Sequence, residues 1–88
     1  MRQILFSKEF DLAAEAIGGY RVVDAALETV LDGLRLNPYG FTKFENDYVA
    51  FRFAKTKPFG NVPGMVFYFN VLANKDVELT HVEVSEGY

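Results

Sequence analysis

Residues 51–71 read FRFAKTKPFGNVPGMVFYFNV, and the way this stretch folds back on itself decides the architecture. Val49, Phe51 and Phe53 alternate with Ala50, Arg52 and Ala54, the period-two pattern of a strand whose successive side chains face opposite sides of a sheet. Met65, Phe67, Phe69 and Val71 repeat the apolar pattern on a second strand, with Tyr68 and Asn70 on its other face. The Pro- and Gly-rich residues 56–64 between them supply a loop, so the stretch is expected to be a hairpin. Its odd-numbered aromatics are expected in the core, with Arg52 on the open face.

Working outward, ANKD at residues 73–76 has the composition of a turn into a last strand. That strand starts with Val77 and Leu79 apolar and continues with Val82 and Val84, so its phase slips by one residue. A bulge near Thr80 and His81 accounts for the slip. Upstream, Val22, Val23, Ala26, Leu27, Val30, Leu31 and Leu34 form one apolar helical stripe, with Arg21, Asp24, Glu28, Asp32 and Arg35 opposite. Asn37-Pro38 ends that helix, because the residue before proline is pushed out of the helical region. A first helix carries Phe10, Ala13, Ala14 and Ile17 on one face, is capped by Ser7 and is stopped by Gly18-Gly19. Residues 3–6 are short and apolar and read as a strand. The expected fold is a single α+β domain over residues 1–88, two-layered, in the order β-α-α-β-β-β, with a helical hairpin packed on an antiparallel sheet.

Composition sets the bounds. A chain of 88 residues buries only about 60–65% of its unfolded surface, so it needs a rich core. Half of its residues are apolar, including nine Phe and five Tyr, which supply that core. The chain has no cysteine, which leaves no disulfide and is compatible with a reducing compartment. The longest apolar run, MVFYF, is far too short to span a membrane, and the opening MRQILFSKEF has no signal-peptide pattern. The expectation is a cytoplasmic protein with no membrane segment. One His without Cys cannot form a usual zinc set, and GNVPG lacks the Lys-Ser/Thr of a phosphate loop, so no metal and no cofactor are expected. Net charge is −3 but unevenly spread: residues 36–75 carry five basic and two acidic side chains, whereas residues 76–88 carry four acidic and no Lys or Arg. The middle of the chain is a basic island between acidic flanks.

Element order and five segments together resemble the RelE/ParE superfamily of bacterial toxin–antitoxin systems. The segments are RQILFS (2–7), VVDAALETVLDGLRLNP (22–38), DYVAFRFAK (47–55), MVFYFNV (65–71) and VELTHVEVSEGY (77–88). The resemblance implies a toxin held inactive by a partner antitoxin. Its activity would be either ribosome-dependent cleavage of mRNA or poisoning of DNA gyrase without nuclease activity. A non-catalytic homologue acting as a protein-binding module, or as a homodimer, is the third implied reading.

For the nuclease, the resemblance implies cations that counter charge building on the phosphate, and a group that helps deprotonate the ribose 2′-OH. The candidate catalytic residues are Arg52, His81 and Tyr88. His81 is the only imidazole, able to act as acid or base near neutral pH. Candidate RNA contacts are Lys43, Lys55 and Lys57 to phosphate, and Tyr68 and Asn70 to a base by stacking and hydrogen bonding. The chain departs from the family pattern in MVFYFNV, which has no Arg, and in Ser85, where an Arg is typical. These departures and the acidic balance favour the non-catalytic reading.

Overall fold

The computed structural model describes residues 2–85. The elements are β1 (Ile4–Phe6), α1 (Lys8–Ile17), α2 (Tyr20–Leu36), a 3-10 turn (Pro38–Gly40), β2 (Thr42–Glu45), β3 (Ala50–Lys55), β4 (Met65–Val71) and β5 (Val77–Val84). They build an α+β fold: two helices against one five-stranded sheet of order β1-β5-β4-β3-β2. The sheet is mixed, because β1 pairs parallel to β5 while every other neighbour is antiparallel. β2 is a strand that the sequence pattern did not single out.

Local chemistry explains the helices. The Ser7 hydroxyl accepts a hydrogen bond from the Phe10 N–H at 3.1 Å, and Glu9 and Asp11 stand in the first turn of α1, where the helix dipole favours negative charge. Gly18 and Gly19 have φ of 142° and 92°, conformations that L side chains rarely adopt, and there the chain reverses into α2. α2 ends at Asn37, whose N–H bonds the Gly33 carbonyl at 2.8 Å before Pro38 starts the 3-10 turn. Gly33 lies in mid-helix for a packing reason: a Cβ there would meet the Phe41 ring at 3.0 Å.

The core lies between the helices and one face of the sheet. Phe10, Ala14, Val23, Ala26, Leu27 and Leu34 from the helices pack with Ala54, Met65, Phe67, Phe69, Val77, Leu79 and Val82 from the sheet. Phe10 stacks on Phe67 with ring centroids 6.3 Å apart, and Phe41 meets Phe69 edge-on at 5.7 Å. The bulge in β5 is present: Tyr68 pairs with His81 and Phe69 with Leu79, leaving Thr80 as the extra residue. Both Leu79 and Val82 thereby reach the core despite their opposite parity.

The facing of β3 corrects the sequence reading. Paired residues on adjacent strands share a face, and Arg52 pairs with Phe69 and Ala54 with Phe67. Arg52 and Ala54 therefore lie on the helix side, while Phe51 and Phe53 lie on the open side with Tyr68. The physical reason is volume. Phe67, Phe69 and Phe41 already fill the space under the helices, and Ala54, buried to 2% exposure, fits what remains. The 56–64 loop holds this register: the Thr56 N–H bonds the Met65 carbonyl at 2.8 Å, and the Met65 N–H bonds the Thr56 hydroxyl at 2.9 Å.

Candidate functional site

Once β3 is turned this way, the open face of the sheet carries a connected aromatic cluster. Phe44 of β2 stacks on Phe51 of β3 with centroids 5.1 Å apart and planes 22° from parallel. Phe51 meets Tyr68 edge-on at 5.4 Å, Phe53 tilts against Tyr68 at 6.3 Å, and Tyr68 contacts the His81 ring at 5.6 Å. Tyr68 is thus the hub. Beside it lies an open depression of about 420 Å³ lined by Phe44, Phe51, Phe53, Lys55, Val66, Tyr68 and Glu83, among others. Phe51, Phe53 and Tyr68 are half-buried and Phe44 is exposed, so the rings form a surface that no element among the described residues covers.

Three of the polar groups on this face, Tyr68, His81 and Glu83, lie together. The Tyr68 phenol donates a hydrogen bond to Glu83 Oε1, and His81 Nε2 lies 3.8 Å from Glu83 Oε2. That bond to Glu83, reinforced by partial burial and by the carboxylate charge, pushes the Tyr68 pKa up to about 12. Tyr68 is therefore a neutral donor throughout the physiological range and not a base. Register places Lys55, Val66 and Glu83 in one row of this face, and Asn70 and Glu78 in another. Among the described residues of its strands, one lysine faces two carboxylates, Glu78 and Glu83, so the face does not attract phosphate by charge.

The structure separates the residues expected to act together. Arg52 is on the helix side, where its Nη1 donates to the carbonyls of Tyr39 at 3.2 Å and Phe41 at 3.1 Å, and its guanidinium lies 5.3 Å from the centroid of the Tyr39 ring. It braces the segment leading into β2 and does not face the open side. His81 is on the open side, paired with Tyr68. Arg52 and His81 thus stand on opposite faces of the sheet. Tyr88 lies outside the described residues. Lys43 is on the helix side of edge strand β2, in an ion pair with Glu45 at 2.7 Å, which holds the Glu45 carboxyl below its usual pKa. Lys57 is exposed in the 56–64 loop. Of the proposed RNA contacts, Lys55, Tyr68 and Asn70 share the open face.

The sequence reading missed Phe44, Phe51, Phe53 and Glu83. A signal for two of them was available: Phe51 and Phe53 share strand parity with Lys55, and a lysine at the end of that row marks the face that meets water. Comparison with protein-family models, with curated proteins and with solved structures finds no match for this chain.

Proposed function

We propose that this chain is a RelE/ParE-like protein that works as a non-catalytic binding module, holding an apolar segment of a partner protein against the aromatic open face of its sheet. The observation that carries this reading is the uncovered cluster of Phe44, Phe51, Phe53 and Tyr68 beside a depression of about 420 Å³. Concave, mostly apolar surfaces with a few fixed polar groups suit side-chain anchors from a partner, and here the Tyr68–Glu83 pair and Lys55 supply the polar points. The resemblance names the class of partner: an antitoxin, encoded beside the toxin-like chain. The separation of Arg52 from His81 weighs against mRNA cleavage, because an acid or base and the cation that stabilises the transition state must reach the same phosphate.

The test is expression alone and together with the product of the adjacent reading frame. Alone, growth and mRNA on translating ribosomes stay intact. Together, the two chains co-purify, and a Phe51→Ser/Phe53→Ser double variant with native circular dichroism weakens the complex at least about tenfold. Cleavage of mRNA that is lost in His81→Ala would overturn the reading in favour of a nuclease. Inhibition of gyrase supercoiling with intact mRNA would overturn it in favour of a gyrase-directed toxin.

A further inference from the structure

β2 forms one edge of the sheet, and its sequence, TKFE, is self-complementary when it is laid antiparallel on a second copy of itself. The orientation of its backbone groups follows from the hairpin next to it. The Asn46 N–H donates to the Val49 carbonyl at 2.9 Å, so that pair is a hydrogen-bonded one. Antiparallel ladders alternate, and the pairs continue as Glu45–Ala50, Phe44–Phe51, Lys43–Arg52 and Thr42–Phe53. Phe44 and Thr42 therefore spend their N–H and C=O groups on β3. Lys43 and Glu45 point theirs outward, at the free edge.

We infer that the β2 edge pairs with β2 of a second copy of this chain, antiparallel and centred on Phe44, joining the two five-stranded sheets into one. In this register Lys43 lies opposite Glu45 of the partner subunit, and Glu45 opposite Lys43 of the partner subunit. These are the residues with outward backbone groups, so each pair exchanges both of its hydrogen bonds. Their side chains share one face, and the ion pair already present within each strand becomes an alternating quartet of charges. Phe44 falls on the two-fold axis in a non-hydrogen-bonded pair, where opposed Cα atoms approach to about 4.5 Å and side chains are closest. Its ring is 43% exposed and already stacked on Phe51, so pairing extends the aromatic row across both subunits. A shift of one or two residues sets like charges opposite each other or turns Phe44 toward a charged residue. At the opposite edge β1, ILF, carries no charge pair that would select a register.

A four-residue edge makes a small interface, so the dimer is weak and concentration-dependent. It is argued from the edge of the sheet and not from the partner proposed for the open face, with Phe44 the one β2 residue that both use.

Sedimentation over a concentration series at low salt tests it. The wild-type chain shifts from monomer to dimer. Lys43→Glu and Glu45→Lys each place like charges in register and raise the dimer dissociation constant at least about tenfold. The double variant Lys43→Glu/Glu45→Lys restores the pairing to within about threefold of wild type, and an equimolar mixture of the two single variants forms a heterodimer. Both side chains are about half exposed, so the variants keep the fold, as circular dichroism checks. A wild-type chain that stays monomeric at its solubility limit overturns the inference. So does a dimer indifferent to the single substitutions, or one that the double substitution does not rescue.

Discussion

Arg52 lies directly opposite Phe69, a residue with no exposure to solvent, and so its guanidinium belongs to the helix side of the sheet. It holds the carbonyls of Tyr39 and Phe41 and packs on the Tyr39 ring, tying the segment after α2 to β3. Arg52→Ala should lower stability by about 1–2 kcal/mol in urea denaturation, through the lost charged hydrogen bonds and the lost ring contact. The same variant should leave binding at the open face unchanged.

The facing of β3 and β4 can be read from a pair of truncations. Phe67 is fully buried among Phe10, Ala54 and Val82, and Phe67→Ala should cost about 3–5 kcal/mol. That is a large part of the roughly 5–15 kcal/mol that holds a domain of this size together. Phe51 is half-buried on the uncovered face, and Phe51→Ala should cost about 1 kcal/mol. Equal costs, or the reverse order, would mean that Phe51 faces the helices after all.

The turn between β3 and β4 depends on close backbone approach. A Cβ on Gly64 would lie 2.8 Å from the Thr56 carbonyl oxygen and 3.2 Å from Pro58 Cδ. Gly64→Ala should therefore destabilise by about 1–3 kcal/mol, because a backbone atom and a proline ring have little room to yield. Thr56→Val keeps the shape but leaves the buried Met65 N–H without its acceptor and should cost about 1–3 kcal/mol. Thermal denaturation of the two variants checks both values.

Tyr68 provides a pH signature. Its folded pKa of about 12 is raised above the ordinary phenol value of 10.0 by the hydrogen bond to Glu83, by partial burial and by the Glu83 charge. A raised pKa means that the folded state holds the proton more tightly. The resulting stabilisation is complete below pH 10 and disappears as the pH climbs from about 10 to about 12. Ultraviolet titration of the tyrosines should show a late phenol that Tyr68→Phe removes and that Glu83→Gln moves back toward 10.0. A late titration left unchanged by both Tyr68→Phe and Glu83→Gln would overturn the assignment to Tyr68.

Much of the fold was legible in local patterns. The stripe from Val22 to Leu34, the Ser7 cap, the Gly18-Gly19 break and the Asn37-Pro38 stop are local signals, and each marks a feature observed in the structure. The slip at Thr80 was legible because Val77, Leu79, Val82 and Val84 cannot share one face without an extra residue. β2 was not, because an edge strand bonded to one neighbour needs no apolar face, and TKFE reads like a loop. The candidate site was legible in part. Tyr68 and Asn70 share a face as expected, but it is Lys55 and not Arg52 that joins them there.

Residue order alone determined that this chain has two amphipathic helices, strands of period two, a bulge in the last of them and enough apolar mass for one core. It pointed to the wrong face of β3, because Phe51 and Phe53 are the large apolar side chains of FRFA and the other phase pairs Ala54 with a charged Arg52. Tertiary packing settled that choice. Register with β4 is shared along the whole ladder, the helices and Phe41 leave room opposite Phe67 only for a side chain the size of Ala54, and the larger rings at 51 and 53 are displaced to the open face. A period is a local property of the chain. A phase is relative to a neighbour, and it exists only once the neighbour is in place.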